Sequence, residues 1–346
     1  MTDPTVTIAI PVFNAEATVG RSLLSALDQD FALPYEVLVI DDCGTDRSME
    51  IVQQTADHHT RCSLVRTVRH HENRGLGAAR NTAIDEARGK YLFFLDADDW
   101  MLPDALSHLY DLAEREQADV TAGSTDCCQQ GQTSPHYQLT PQVVRHEAAG
   151  VWMVVHDVFM NIEVWNKLLR LDFLRQNHIR TVHRIMEDSI FDFHLRIQAR
   201  TIVLSSQVTL CYNLHPESIL GSLFGHQAPD EAVGIYCDIV QQTEALIRER
   251  YHHVPGIFDL YALRLFYTFH SLRKMQLTDA QEKYIRTTLP HFLEIIPSMR
   301  SLCDGAFRMA YLVCKLRGGD WRAFERAYDS RYTRFAYYLK RFLLLF

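Results

Sequence analysis

The sequence predicts an α/β fold with a mostly parallel central sheet, followed by an all-α C-terminal region. Three observations carry this expectation. From the start of the chain, short runs rich in β-branched residues alternate with helical patterns, which is how a βαβ series reads. Two of those runs end in carboxylates, VLVI running into Asp41-Asp42 and YLFFL into Asp96-Ala97-Asp98-Asp99. From Asp230 onward the strand signal disappears and helical stripes take over, such as Val233, Tyr236, Val240, Thr243 and Ile247.

Taken in order, Thr5 to Val12 (TVTIAIPV) reads as a buried strand, and Asn14 is expected to cap a helix with Val19, Leu23 and Leu27 on one face. Tyr35 to Ile40 is a second strand, Asp46 or Ser48 caps the next helix, and Cys62 to Val68 is a third strand. Gly75 to Ala87 is helical and Tyr91 to Leu95 is the fourth strand. Pro103 stands where a first helical turn accepts proline, opening a helix through about Glu116 that is followed by a short strand at Asp119 to Gly123. Residues 124–150 read as a polar insertion, Trp152 to Gln198 as largely helical, Thr201 to Tyr212 as strand, and Asn213 to Gly225 as turn-like. A domain boundary is expected near 228, giving domains 1–228 and 229–346.

The totals agree with a soluble globular protein: 346 residues, 47% hydrophobic, 23% charged. A net charge of −8 argues against a surface that coats nucleic acid, which needs clustered Lys and Arg. The eight cysteines form no CxxC pair, so neither a zinc knuckle nor a redox dithiol is signalled. The first strand begins at Thr5, leaving no room for a signal peptide, and no apolar run approaches the ~20 residues that span a bilayer. A cytoplasmic location with at most peripheral membrane contact is the resulting expectation.

Parallel sheets bind ligands at the carboxyl ends of their strands, and here those ends carry clustered acids. Crowded carboxylates repel one another unless a cation or hydrogen-bond donors compensate. Mg²⁺ or Mn²⁺ answers that need, because a hard divalent ion takes one or two carboxylates and fills its other positions with phosphate oxygens and water. A diphosphate-linked substrate follows. The competing reading of Asp41, Asp42 and Asp96 to Asp99 is that they serve turns and caps.

Three blocks then resemble the inverting family 2 glycosyltransferases of the nucleotide-diphospho-sugar transferase (GT-A-like) fold, of the bacterial surface-polysaccharide type. They are IPVFNAE at Ile10 to Glu16 with VLVIDDCGTD at Val37 to Asp46, ENRGLGAARNTAIDEARGKYLFFLDADDW at Glu72 to Trp100, and VWNKLLRLDFL at Val164 to Leu174 with MEDSIFDFHLR at Met186 to Arg196. Cys43-Gly44 departs from the family's Asp-Asp-Gly-Ser. The resemblance implies a nucleotide-binding half over about 1–100 and an acceptor half over about 101–228. It implies that Pro11, Phe13, Asn14, Glu16, Asp42, Asn73, Arg80, Asp96 and Ala97 bind the nucleotide, with Pro11 and Phe13 lining the base and Asp42 bonding base or ribose. Asp98 would be the direct metal ligand, and Asp188 the general base that inversion requires opposite the leaving group. His215 and Ser218 would contact the diphosphate from a loop, and Trp165, Lys167 and Glu187 the acceptor. The implied partners are a nucleotide sugar, expected to be a UDP-sugar, and a glycan or lipid-linked acceptor.

Each of these has a plainer reading: Glu187-Asp188 as a solvated helix start, Trp165 as core, His215 and Ser218 as loop polarity. The histidine pairs His58-His59, His70-His71 and His252-His253 are expected at the surface. The segment Arg317 to Phe346 is rich in Arg and Lys and ends in RFLLLF; it is suited to an anionic membrane, or to packing on neighbouring helices or a second subunit. Two other functions are open at this point. A sugar-phosphate nucleotidyltransferase would need a glycine-rich basic phosphate loop near the first strand, which Phe13-Asn14-Ala15-Glu16 does not supply. A non-catalytic carbohydrate-binding or assembly subunit would not need Asp96, Asp98 and Asp188.

Overall fold

The structure is a computed structural model that describes residues 3–129, 131–156, 158–182, 187–214, 229–257, 260–261 and 276–289. The chain divides into two compact units, Met1–Gly150 with Phe159–His215, and Val151–Val158 with Pro216–Phe346.

The first unit is built on one sheet. Strands β1 (Val6–Val12), β2 (Tyr35–Asp41), β3 (Val65–Arg69) and β4 (Tyr91–Phe94) run parallel in the order β3-β2-β1-β4. Every residue of β1, β2 and β4 is buried, as expected of a parallel sheet covered on both faces. Helix α1 (Val19–Leu27) turns Val19, Leu23, Ala26 and Leu27 onto Val6, Ile8, Ile10 and Val12. Beside it, α4 (Ala105–Glu116) contributes Ala105, Leu106, Leu109 and Ala113 to the same core. Helices α2 (Ser48–Asp57) and α3 (Leu76–Glu86) complete the βαβ crossovers.

Past β4 the sheet becomes antiparallel. The order continues through β9 (Lys167–Arg170), β6 (Val120–Gln129), β10 (Thr201–Asn213) and β5 (Trp100–Met101), with β7 (Gln132–Tyr137) on β6 and β8 (Gln142–Arg145) on β10. Among the described residues, only the β6–β10 pair in this half is parallel. The supposed polar insertion is therefore sheet: β6 runs on through Gln129 and turns back as β7. The stretch expected to be largely helical breaks into α5 (Ala149–Val155), strand β9, α6 (Leu171–Gln176) and α7 (Asp188–Gln198). KLLR becomes a strand because it fills the gap between β4 and β6, a tertiary demand that a four-residue apolar run cannot announce. Cys62–Leu64 is a 3₁₀ turn and the third strand starts only at Val65.

Two capping expectations are corrected. Asn14 lies at φ 48°, outside the helix that begins at Val19, and its Oδ1 accepts from Thr45 N at 2.8 Å. Asp46, two residues ahead of α2, accepts from Ser48 N at 3.0 Å and from the Ser48 hydroxyl at 2.5 Å.

The described parts of the second unit are helical. Helix α8 (Asp230–Leu246) runs into a π-turn at Ile247–Tyr251, and α9 (Asp279–Thr288) opens with a capping box between Thr278 and Gln281. Gln281 Nε2 also donates to Asp230 Oδ1 at 2.7 Å. Among the described residues no helix is long and apolar enough to cross a membrane. The basic segment Arg317 to Phe346 lies outside the described residues.

The turn into β4 shows how tightly the sheet is joined. A Cβ on Gly89 would stand 2.6 Å from Thr7 N and 2.7 Å from Tyr91 O, backbone atoms that no side-chain rotation can move aside. Gly89→Ala is expected to destabilise the protein by about 2 kcal/mol or more, the scale of overpacking, read as a lowered urea midpoint at unchanged m-value.

Candidate active site

The loops that leave the parallel strands are tied to one another. Glu16 N donates to Asp46 Oδ2 at 2.9 Å and Arg47 N returns a bond to Glu16 Oε2 at 3.0 Å. With the Asn14–Thr45 bond, these make the ends of β1 and β2 one surface. Phe13 projects from it, 47% exposed, while Pro11 is buried in β1.

The two acids at the end of β2 brace this surface. Asp41 Oδ1 accepts from Cys43 N at 3.0 Å, and its other oxygen meets Arg69 at 3.3 Å. Cys43 adopts φ 60°, the left-handed conformation that costs a non-glycine residue about 1 kcal/mol; this is the position where the family pattern has glycine. Asp42 is buried and accepts from His70 Nδ1 at 2.6 Å, Arg74 N at 2.9 Å and Gly75 N at 2.7 Å. Three internal bonds engage that carboxylate, the group expected to bond base or ribose. It holds the 70–75 loop and, through Gly75, the N-terminus of α3, where a negative charge is favoured. His70, expected at the surface, is the buried partner of this brace and reaches Thr82 Oγ1 at 2.8 Å through its other ring nitrogen. Asn73 lies half-buried in the same loop.

Helix α3 delivers Arg80 into the interior, 1% exposed. Its Nη2 donates to Asp96 Oδ1 at 2.8 Å, and its Nη1 donates to Asp188 Oδ1 at 2.6 Å and to Glu187 Oε1. One guanidinium thus collects carboxylates from the end of β4 and the start of α7, sequence separations of 16, 107 and 108 residues. The three acids hold Arg80 above its already basic range against the cost of burial. Burial pushes Asp188 well above the usual carboxylate range and Glu187 up, with Arg80 opposing the rise in both. A carboxylate raised toward neutrality is better matched to accepting a proton.

Beside this cluster, Asp96, Asp98 and Asp99 bring one oxygen each within 4.8 Å of one another. Ala97 between them is buried. Asp99, absent from the sequence-based site, is 1% exposed; its Oδ1 accepts from Asn213 N at 2.8 Å and its Oδ2 is buried without a partner. Burial and then the charges of Asp98 and Asp96 push its carboxyl well above the usual range. An orphaned buried oxygen within an all-oxygen acidic set fits a hard divalent cation, which would satisfy that atom and relieve the repulsion.

Trp165 and Lys167, the expected acceptor contacts, are both buried. Trp165 is 5% exposed and stacks on Tyr212 with ring centroids 5.5 Å apart. Lys167 is buried, donating to Asn161 Oδ1 at 3.0 Å and to Glu163 O. Between them, Asn166 donates to Gly123 O, Ser124 O and Thr125 Oγ1 and accepts from Thr209 at 2.6 Å, stitching β6 to β10. The WNK triplet is thus the wall behind the site. His215 and Ser218 lie outside the described residues.

With this geometry in place, comparison with known proteins decides the family. The model of glycosyl transferase family 2 matches residues 7–191. The chain belongs to that family. Among curated relatives, it is 27% identical over 244 residues to the poly(ribitol-phosphate) beta-glucosyltransferase of Bacillus spizizenii and 27% identical over 237 residues to the putative glycosyltransferase EpsH of Bacillus subtilis. These matches cover 69% and 64% of this chain but 37% and 64% of those relatives' lengths. Among solved structures, S. aureus TarS 1–349 in complex with UDP-GlcNAc is similar at a TM-score of 0.59 and 17% identity, covering 90% of this chain and 81% of that one. The mannosyltransferase PcManGT of Pyrobaculum calidifontis, in complex with GDP-Man and Mn²⁺, is similar at a TM-score of 0.53 and 14% identity, covering 90% of this chain and 86% of that one. The fold of the family 2 chain is accordingly GT-A-like.

Burial lowers the Lys167 ammonium from 10.5 to about 8. The folded state binds this proton less tightly than the unfolded chain, so the penalty is complete below the folded value of about 8 and fades as pH rises toward 10.5. The difference in Tm between the natural protein and Lys167→Met, followed across that window, should shift in favour of the natural protein as pH rises.

Proposed function

We propose that the chain is an inverting glycosyltransferase that moves a sugar from a UDP-sugar to a hydroxyl of a glycan or lipid-linked acceptor, with a transferase domain over 1–228. The observation that carries this reading is the convergence of Asp96, Glu187 and Asp188 on Arg80, next to the acid set of Asp96, Asp98 and Asp99. Family membership weighs against the sugar-phosphate nucleotidyltransferase, and the UDP-GlcNAc held by TarS favours a uridine donor.

In this reading Phe13, exposed at the end of β1, stacks on the base, with Pro11 packed behind it and Asn14, Glu16 and Asn73 on the surrounding loops. Asp98, with Asp96 and Asp99, would hold Mg²⁺ or Mn²⁺, and PcManGT in its GDP-Man and Mn²⁺ complex supports the choice. That ion, when bound, neutralises the charge that develops on the departing diphosphate. Asp42 holds α3 in place and α3 holds Arg80. Arg80 aims Asp188 and opposes the rise that burial imposes on it, and Asp188 takes the proton of the acceptor hydroxyl as its oxygen attacks the anomeric carbon from the face opposite the diphosphate. His215 and Ser218 remain the proposed diphosphate contacts.

The test is UDP release from a panel of UDP-sugars with Mn²⁺, with GDP- and dTDP-sugars alongside. Asp188→Asn should lower kcat by about 10²–10⁴-fold, the size of a general-base contribution, while UDP still binds. Asp98→Ala should weaken Mn²⁺ binding by about 10-fold or more, read by calorimetry. Donor binding without turnover by the natural chain would point to the binding-subunit reading instead, and a fully active Asp188→Asn would remove Asp188 from the mechanism.

A further inference from the structure

Helix α3 carries more than Arg80. The last carbonyls of a helix have no partner within it, and here one guanidinium from α6 takes them. Arg175 Nε donates to Ile84 O at 3.1 Å, and its Nη2 donates to Ile84 O at 2.8 Å, Asp85 O at 3.0 Å and Ala87 O at 2.8 Å. The chain beyond α6 then runs back along α3 toward its start. Arg180 Nη2 meets Asp85 Oδ1 at 2.6 Å. One turn nearer the start, Asn81 Nδ2 donates to Thr181 O at 2.8 Å and Asn81 Oδ1 accepts from Thr181 N at 3.0 Å. The Thr181 hydroxyl donates to Gly77 O at 2.5 Å. Asn81 is half-buried and Thr181 is buried.

Shortly after Thr181 the chain reaches Glu187 and Asp188, which meet Arg80, the residue next to Asn81. Adjacent residues of one helix therefore hold the chain on both sides of this step, Asn81 by neutral bonds and Arg80 by charge. Farther along α7, Arg196 donates from Nε to Asp192 Oδ2 at 2.7 Å and from Nη2 to Met160 O at 2.7 Å, so the later turns have an anchor of their own. The first turn depends on α3. Closing the chain onto Arg80 costs less conformational entropy when a residue just before it is already fastened to the same helix. The Arg80 contacts set how far Asp188 lies from the guanidinium. The two Asn81 bonds, made to both backbone groups of Thr181, set the direction from which the chain arrives.

We propose that Asn81 and Thr181 are positioning residues that hold the Glu187-Asp188 step in place for proton transfer, with α3 as the common mount of the guanidinium and of the chain that delivers the base. This rests on the reading of Asp188 as the base, and the measurements separate the two. Asn81→Ala removes both bonds to Thr181. It should lower kcat for UDP release by about tenfold or more, the scale of a displaced catalytic group, while UDP affinity by calorimetry stays within about twofold. Thr181→Val, which removes only the hydroxyl bond, should lower kcat by about threefold or more, and Thr181→Ser, which keeps the hydroxyl, should hold it within about twofold of the natural protein. Hydrogen exchange of the full chain is read at Phe191 to His194, whose amides bond the first-turn carbonyls of α7. Protection there should fall by about tenfold in Asn81→Ala with β1 and β2 unchanged. A residue serving stability alone would lower the urea midpoint and leave the kcat of the folded protein as it was. Natural kcat in Asn81→Ala, or natural protection at the start of α7, would overturn the proposal. If Asp188→Asn is fully active, or no donor is turned over, the base reading falls, and exchange alone decides whether Asn81 holds this step.

Discussion

The site depends on one buried positive charge. Arg80 is almost fully enclosed, and the carboxylates of Asp96, Glu187 and Asp188 are arranged around its guanidinium. The planar guanidinium suits this task because it offers several donors in fixed directions and keeps its charge under any pH the protein meets. Removing a partner from such a buried set typically costs about 3–5 kcal/mol, since what remains is charge without compensation. The arrangement therefore joins the end of β4 to the start of α7 more firmly than packing alone would, and it sets the distance between the acids on either side.

Two kinds of acid stand at the strand ends, and the structure separates them. Asp41 and Asp42 brace the loops: their oxygens meet Cys43 N, Arg69, His70, Arg74 N and Gly75 N. Asp96, Asp98 and Asp99 are drawn together with an oxygen of Asp99 left over, an arrangement that a folded chain tolerates poorly unless something else binds there. The first pair builds the frame, and the second set is the one proposed to hold the cation. Asp42 links the two, because it secures the first turn of the helix that carries Arg80.

The parallel half of the sheet was legible because β1, β2 and β4 are short, continuous, apolar runs between helical patterns, a signal that needs no knowledge of neighbours. The antiparallel half was not. QTSPHY is polar because β7 is exposed for most of its length, so it read as insertion, and KLLR carries too few residues to show a period. His70 read as a surface residue because its need for Asp42 arises only when β2 and the 70–75 loop meet.

The sequence by itself determined the alternating βαβ start, the acids at two strand ends and the Glu187-Asp188 step, all of which are properties of neighbouring residues. Only the tertiary structure decided which carboxylates work together. It brought Asp96 and Asp188 to one guanidinium, turned Asp42 inward as a brace, left one oxygen of Asp99 buried without a partner, and buried Trp165 and Lys167. The reason is physical: burial and charge pairing depend on distances between chain segments far apart in sequence, and those distances exist only once the sheet and its helices have assembled.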